Sequence, residues 1–210
     1  MASCLRLVSI GLLCLILASG YGGAAPGQGA LPPPGRDIAT IAGGCFWAME
    51  ARFKLLKGVD SVTPGYAGGR TSNPTYEQVC SETTGYAEAV QIVFDPKVLT
   101  YHDLIDIFMH VHDPTTRDRQ GPDIGSSYRS SIFYRNNQQK AVALQVVRDI
   151  ESKHVWLAPI VTEVTPFISF YRAEEYHMDY FAHHPENSYC NFVVEPEVAK
   201  FRQRYHALLK

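Results

Sequence analysis

The chain has 210 residues, of which 46% are hydrophobic and 19% are charged, and its formal net charge is −2. This composition is typical of a globular protein, and the charges form no basic run that would bind nucleic acid. We therefore expect no nucleic-acid partner and a substrate that is not selected by strong charge.

The beginning of the chain is typical of an export signal. A single arginine precedes an apolar run at 7–17, and small residues follow it. This order matches a secretory signal, and the run is too short to span a bilayer comfortably. The sequence predicts a signal peptide over 1–24, cleaved after Gly20 or Ala24, and a flexible Gly- and Pro-rich linker over 25–36. We expect an exported protein, periplasmic or secreted, with an uncleaved membrane anchor as the alternative.

A cysteine at the start of a predicted helix is the first candidate nucleophile. After a β-like run comes the sequence Gly-Gly-Cys-Phe-Trp at 43–47, and the apolar spacing beyond it predicts a helix that stops at Gly58. Unpaired N–H groups at a helix N-terminus favour the thiolate of Cys45, which is the nucleophilic form. Phe46 and Trp47 are suited to wall a pocket for a small uncharged group. The alternative is an ordinary buried core cysteine.

The rest of the chain alternates strands with helices and shows no internal repeat. The predicted strands are 37–42, 59–66, 88–94, 128–134 and 161–164. The predicted helices are a short one within 73–80, one capped by Thr100, one capped by Asn136 or Asn137 that runs to about Lys153, and a final one at 197–209. A long polar loop is predicted at 112–127. This order favours an α/β (α+β) two-layer sandwich with a mixed or mainly antiparallel sheet.

Residues 37–210 are long enough for one compact catalytic domain. They contain three cysteines, Cys45, Cys80 and Cys190. An odd number in an exported chain argues against a fixed disulfide framework and indicates a reactive thiol. No cysteine or histidine cluster has the spacing of zinc ligands, so we expect neither a metal nor a cofactor. Cys80 lies on a short helix and is expected to be buried.

Several short motifs, taken together, resemble one family. They are Gly-Cys-Phe-Trp ending at 47, Gly-Tyr-Ala-Gly-Gly at 65–69, Asn-Pro-Thr-Tyr at 73–76, Thr-Gly-Tyr-Ala-Glu-Ala-Val at 84–90, Gln-Gly-Pro-Asp-Ile-Gly at 120–125, Tyr-Arg-Ser at 128–130 and Tyr-Cys at 189–190. In this order they are similar to the A-type peptide methionine sulfoxide reductases, over about residues 37–205. The resemblance implies a ferredoxin-like βαβ core. It also implies thiol-dependent reduction of methionine S-sulfoxide, in proteins and as a free compound, as repair after oxidative damage.

Sulfoxide reduction needs a thiolate, a nearby acid and a dry pocket for the methyl group. Cys45 is the expected nucleophile. Glu88 is the expected acid, because it stands at the mouth of an apolar strand where burial would raise its pKa and let it hold a proton near neutral pH. The resemblance gives this position to the catalytic acid, and the alternative is a solvated glutamate at a strand end.

The resemblance also implies how the substrate is held. Tyr76 and Tyr128 match two tyrosines whose hydroxyls donate to the sulfoxide oxygen, and Asp123 matches an aspartate that supports this oxygen site. Phe46 and Trp47 match the walls that hold the methyl group. From the residues alone, each of these could instead be an ordinary packing or loop residue.

Cys190 completes the expected cycle as the resolving cysteine. Attack by Cys45 releases methionine and leaves a sulfenic acid, which a second thiol must convert to a disulfide before over-oxidation. Cys190 lies in a polar stretch at 185–190 that is expected to swing toward the site. A thioredoxin-like donor would then reduce the Cys45–Cys190 disulfide. Outside the cytosol, we expect this donor to be a membrane-fed relay with a thioredoxin fold.

One departure from the family pattern and two other functional classes stay open. Tyr86 stands where the family usually has histidine, so the hydrogen-bond setting of Glu88 is expected to differ. A cysteine hydrolase or acyltransferase would use Cys45 with a histidine base and would not need Cys190. A secreted binding module would use only the aromatic pocket. No heptad or large apolar stripe indicates an oligomer, so we expect a monomer.

Overall fold

A computed structural model describes residues 31–210 of the chain. The predicted signal peptide at 1–24 lies outside the described residues, as does the first half of the predicted linker, 25–30. Within 31–210, no helix combines the length and apolar character needed to cross a membrane.

The described residues form an alternation of strands and helices. The strands are β1 (Asp37–Ala42), β2 (Val59–Ala67), β3 (Ala87–Phe94), β4 (Arg119–Gln120), β5 (Asp123–Ile124), β6 (Ser131–Tyr134), β7 (Glu163–Pro166) and β8 (Phe170–Arg172). The helices are α1 (Phe46–Phe53), α2 (Tyr76–Cys80), α3 (Tyr101–Val111), α4 (Asn137–Ser152), α5 (Tyr180–His183) and α6 (Glu195–Tyr205). A 3₁₀ turn at Ser126–Tyr128 and a π-helical segment at Cys190–Val194 matter for the site.

Six strands form one mixed sheet in the order β7-β6-β1-β3-β2-β8, while β4 and β5 form a small separate hairpin. Every neighbouring pair in the large sheet is antiparallel except β6 and β7, which are parallel. The main cluster of buried apolar side chains joins β1, β2 and β3 to α1, α3 and α4. The predicted α/β class with helices packed on a mixed, mainly antiparallel sheet is confirmed. The ferredoxin-like arrangement stays an expectation with which this strand order is compatible.

The helix starts follow from local capping chemistry. The Thr100 side chain accepts a hydrogen bond from the Asp103 N–H at 3.1 Å and donates to the Asp103 carboxylate at 2.7 Å. Asn136 likewise accepts from the Gln139 N–H at 2.8 Å. Thr75 forms a capping box at the start of α2. These side chains satisfy N–H groups that have no partner within the helix, so each helix begins where its cap stands.

Several predicted boundaries differ from the structure. The helix after Cys45 ends at Phe53 rather than at Gly58. Strand β6 begins at Ser131 because the residues before it turn into the 3₁₀ helix. Helix α6 begins at Glu195, two residues earlier than predicted, since Pro196 is tolerated in a first helical turn. The predicted loop at 112–127 contains the β4–β5 hairpin.

Strand β8 was not predicted at all. It has only three residues, Phe-Tyr-Arg, which give no alternation of polar and apolar side chains to recognise. The strand forms because the edge of β2 has free backbone groups, with which residues 170–172 pair.

Candidate active site

A cavity of about 160 Å³ lies where the start of α1 meets β3, α2 and the β4–β5 hairpin. Its lining residues are Cys45, Phe46, Trp47, Tyr76, Glu88, Asp123, Tyr128 and Tyr189. All of them except Tyr189 are residues that the sequence analysis selected. The structure therefore brings the predicted nucleophile, acid, hydroxyl donors and aromatic walls to one place, but it leaves Cys190 outside the cavity lining.

A larger cavity of about 300 Å³ lies beside α6 and is lined partly by Arg52, Lys200 and Arg204. Its lining contains no cysteine, and the Arg52 guanidinium is already paired with Glu197 at 3.3 Å. Of these two cavities, the smaller one is the candidate active site because Cys45 lines it.

Glu88 is buried at the second position of β3, opposite Tyr66 of β2. Its Oε2 accepts a hydrogen bond from the Phe46 N–H at 3.0 Å, which places the carboxyl at the N-terminus of α1. Burial raises the pKa of Glu88 to about 8; the Phe46 N–H opposes this shift, whereas nearby Asp123 and Glu82 add to it. Glu88 therefore carries a proton at neutral pH, which a solvated glutamate at a strand end would not do.

Cys45 precedes α1 directly and is 8% exposed. Burial raises the pKa of its thiol well above the ordinary value and the charge of Glu88 adds to this, while the N–H groups of Trp47 and Ala48 and the Tyr189 hydroxyl lower it. The helix-end groups thus favour the thiolate as expected, but burial outweighs them. Cys45 therefore rests as a thiol, with donors placed to receive the thiolate when it forms.

The tight turn that presents Cys45 depends on Gly44. This residue has φ +88°, and a Cβ there would lie 2.5 Å from a side-chain carbon of Gln120. Only glycine meets both conditions without strain.

Two aromatic side chains form a rigid wall of the cavity. The buried Phe46 ring stacks on Tyr76, with 6.3 Å between centroids and 20° between planes. Trp47 stacks on Tyr180 at 3.7 Å and 6°, and its indole N–H donates to Nδ1 of His177 at 3.0 Å. These contacts fix the orientation of the indole, so core packing and a pocket wall are compatible roles for the same two residues.

Tyr76 and Tyr128 bring two phenol groups into the cavity. The backbone N–H of Tyr76, the first residue of α2, donates to Glu174 at 2.9 Å, and its hydroxyl hydrogen-bonds with the Cys80 thiol. Burial first and then the charge of Glu88 raise the pKa of both phenols. Both therefore stay protonated and can donate hydrogen bonds.

Asp123 and Tyr189 close another side of the cavity. Asp123 lies on the β4–β5 hairpin, and its carboxylate accepts a hydrogen bond from the Tyr189 hydroxyl at 2.6 Å. Tyr189 also hydrogen-bonds with the sulfur of Cys45. Sequence reasoning missed Tyr189 because nothing local distinguishes it from the other tyrosines of the chain. Its position beside Cys190 was the only available signal.

The predicted burial of Cys80 is wrong, and the buried one of the other two cysteines is Cys190. Cys190 has no exposed surface and lies in a cluster with Ala48, Val194 and Val198, whereas Cys80 is exposed. The apolar residues at 190, 194 and 198 recur every four positions, so they form one face that packs on α1. The short helix α2 turns only Val79 inward, which leaves Cys80 at the surface. All three thiols are free in the structure.

Tyr86 is buried between Gly69 and Tyr171. Its hydroxyl donates to the Thr71 carbonyl at 2.7 Å, and its ring lies edge-on to Tyr171. A Cβ on Gly69 would come within 2.1 Å of the Tyr86 ring, so this tyrosine requires the neighbouring glycine.

Among residues 31–210, no group of three or more His, Cys, Asp or Glu is arranged to hold a metal ion.

The fold and the cavity together define a class of protein. Among the described residues that line the cavity there is no histidine to serve as the base of a cysteine hydrolase. A protonated carboxyl and two phenols are instead placed to donate to an oxygen beside the thiol, which is the arrangement of a thiol-dependent oxidoreductase.

The comparisons identify the family. The family model described as peptide methionine sulfoxide reductase matches residues 37–209. The chain is 55% identical over 174 residues to peptide methionine sulfoxide reductase MsrA of Thermus thermophilus, covering 83% of this chain and 98% of that one. It resembles the crystal structure of reduced Mxr1 from Saccharomyces cerevisiae with a TM-score of 0.70 and 34% identity, over 77% of this chain and 92% of that one. Mxr1 in complex with Trx2 matches with a TM-score of 0.52 and 27% identity, over 71% and 88%. The chain belongs to the peptide methionine sulfoxide reductase family.

Proposed function

We propose that this enzyme reduces methionine S-sulfoxide, in oxidised proteins and as a free compound, through the thiol of Cys45. The observation that carries the proposal is the convergence of Cys45, protonated Glu88 and the two phenols in one cavity. The cavity offers three fixed features: a wall for the methyl group, a site for the oxygen and the nucleophilic sulfur. This arrangement supports the choice of one sulfoxide epimer, because the other epimer would misplace one of the groups on its sulfur.

In the first step, the substrate methyl group packs against Phe46 and Trp47, and its oxygen faces Glu88. Glu88 lends a proton to this oxygen while the Cys45 sulfur attacks the substrate sulfur. The proton of the thiol passes to Glu88. The hydroxyl then moves from the substrate sulfur to the Cys45 sulfur while the new S–S bond breaks and leaves its electron pair on the substrate sulfur, so Cys45 becomes a sulfenic acid and methionine leaves. The N–H groups of Trp47 and Ala48 stabilise the negative charge that develops on the Cys45 sulfur.

In the second step, the Cys190 thiol condenses with the Cys45 sulfenic acid, which forms a disulfide and releases water. A dithiol reductant of the thioredoxin type then returns both cysteines to thiols. The complex of the relative Mxr1 with Trx2 supports this choice of partner.

The activity is tested by incubating the protein with each epimer of a blocked methionine sulfoxide and dithiothreitol. We expect repeated formation of methionine from the S-epimer only. Methionine from neither epimer would overturn the proposal, and equal use of both would overturn its stereochemistry.

We also propose that the enzyme acts outside the cytosol, with residues 1–24 removed and 25–36 acting as a tether to the catalytic domain at 37–210. The proposal is supported by the short apolar run and the small residues that follow it. N-terminal sequencing of the protein recovered from cells tests it. We expect a new N-terminus after Gly20 or Ala24, and retention of Met1 in a cytosolic fraction would contradict it.

A further inference from the structure

An exposed aromatic side chain stands beside the second cysteine of the proposed cycle. Phe192 is 81% exposed, although it lies only two residues after Cys190 in the π-helical segment. Cys190 and Val194 of the same segment have no exposed surface. The segment thus has a buried side that holds the thiol and an outer side that presents a phenyl ring to solvent.

Isolated exposed apolar residues are common, so exposure alone carries no conclusion. What distinguishes Phe192 is its place next to a sulfur that a partner protein must reach. Thiol–disulfide exchange requires the incoming thiolate to approach one sulfur along the axis of the disulfide. Any protein reductant must therefore cover the residues on both sides of the sulfur that it attacks.

Cys190 is the sulfur that such an attack can reach once the segment that carries it has opened. Cys45 lines a cavity of about 160 Å³ together with aromatic side chains. A cavity of this size is too small to admit a protein surface. When Cys45 is the leaving sulfur, the N–H groups of Trp47 and Ala48 lie where they can receive its thiolate. Attack on Cys190 therefore breaks the disulfide in the direction that restores the nucleophile.

The segment that carries Cys190 is suited to opening. π-helices, with i→i+5 hydrogen bonds, are rare, interrupt a regular helix locally and are frequently found at functional sites. Its first N–H, that of Cys190, is held by the side chain of Asn187 at 3.1 Å. Because Cys190 has no exposed surface, an incoming thiol reaches it only when this segment leaves its position on α1, and Phe192 moves with it.

We propose that Phe192 is the apolar anchor with which a dithiol reductant of the thioredoxin type docks over the Cys190 segment. The inference rests on the proposed function. The reductant thiolate attacks the Cys190 sulfur, the S–S bond breaks, and Cys45 leaves as a thiolate that takes up a proton. The second thiol of the reductant then attacks the mixed disulfide, which frees the Cys190 thiol and leaves the reductant oxidised.

The test compares Phe192→Ser, Phe192→Leu and Val98→Ala in the full-length enzyme. Val98 is a matched control because it is 61% exposed and follows the end of β3 opposite to Glu88. Turnover of the S-epimer is measured with thioredoxin, thioredoxin reductase and NADPH, and separately with dithiothreitol. We expect Phe192→Ser to raise the KM for thioredoxin about tenfold, Phe192→Leu to raise it less, and Val98→Ala to leave it unchanged. Turnover with dithiothreitol stays unchanged in all three.

Three results would overturn the anchor: an unchanged KM for thioredoxin in Phe192→Ser, an equal rise in Val98→Ala, or an equal loss of turnover with dithiothreitol. Turnover of the wild-type protein with dithiothreitol but not with thioredoxin would overturn the partner and the anchor together. If the wild-type protein forms no methionine with any reductant, the failure belongs to the proposed function and not to Phe192.

Discussion

Replacing Glu88 by glutamine tests the proposed acid most sharply. Glutamine keeps the size of the side chain and an oxygen that can accept the hydrogen bond from the Phe46 N–H, now 3.0 Å long. It has no acidic proton to give to the sulfoxide oxygen. General acid catalysis contributes about 100- to 10,000-fold to a rate, so we expect methionine formation at pH 6 to slow by a factor in this range.

The pH dependence follows from the pKa of Glu88, which burial raises to about 8. At pH 6 almost every molecule holds the proton, whereas at pH 9 only about one in ten does. The rate ratio of wild type to Glu88→Gln should therefore fall about tenfold between pH 6 and pH 9. The assay is single-turnover formation of methionine, followed by rapid quenching at each pH. A ratio that stays constant across this range would refute the reasoning.

The same substitution has a stability consequence of known sign. The folded-state pKa of Glu88 is raised above the ordinary 4.5, so the folded chain binds this proton more tightly than the unfolded chain does. The free energy of unfolding therefore falls as the pH rises from 4.5 to about 8. At pH 7 the unfolded chain is ionised and the folded one is not, which destabilises the fold by about 3 kcal/mol. Removing the ionisable group should raise the free energy of unfolding by up to this amount.

Glu50 offers a matched control for both effects. It is a second buried glutamate whose pKa burial raises to about 7, but it binds the Asp179 N–H and does not line the cavity. We expect Glu50→Gln to leave methionine formation and its pH dependence nearly unchanged. A large loss of rate in this variant would show that buried acids outside the cavity also matter, contrary to the account.

The remaining predictions concern the hydroxyl donors and the cysteines. Tyr189→Phe removes a hydroxyl that donates to Asp123 at 2.6 Å and hydrogen-bonds with Cys45, and single-turnover methionine formation should slow about tenfold; an unchanged rate would show that neither hydrogen bond contributes to the reaction. Cys190→Ser should form one methionine per enzyme at the normal rate but lose turnover with thioredoxin, and dimedone should trap the Cys45 sulfenic acid. Continued turnover with thioredoxin would refute resolution by Cys190. Cys80→Ser should keep full turnover, since its thiol is exposed and serine preserves a bonding group for Tyr76; a strong loss would indicate that this thiol acts in the cycle.

Most residues that line the cavity could be predicted because they lie in short motifs that can be recognised without knowledge of the fold. Cys45 and Glu88 stand at the ends of predicted elements, where sites form. The caps at Thr100 and Asn136 were readable for the same reason. Tyr76, Tyr128 and Asp123 were selected only because their motifs resemble those of a known family.

The features that could not be predicted from the sequence depend on contacts between segments that are distant along the chain. Whether Cys190 is buried is decided by the fit of its helical face on α1, and whether Cys80 is exposed is decided by which side of α2 meets the sheet. The pKa of Cys45 depends on burial and on Glu88, which is distant in sequence, as well as on the helix end beside it. Such sums of opposing effects need the assembled structure.

The proposed cycle depends on two steps: Cys45 takes the oxygen from the substrate, and Cys190 then converts the resulting sulfenic acid to a disulfide. The most direct measurement is to mix the fully reduced protein with the S-epimer in the absence of any reductant, and to count methionine and thiols together. We expect about one methionine per enzyme, the loss of two thiols, and a Cys45–Cys190 disulfide found by mass spectrometry after digestion. Methionine formed without loss of Cys190, or no methionine at all, would contradict it.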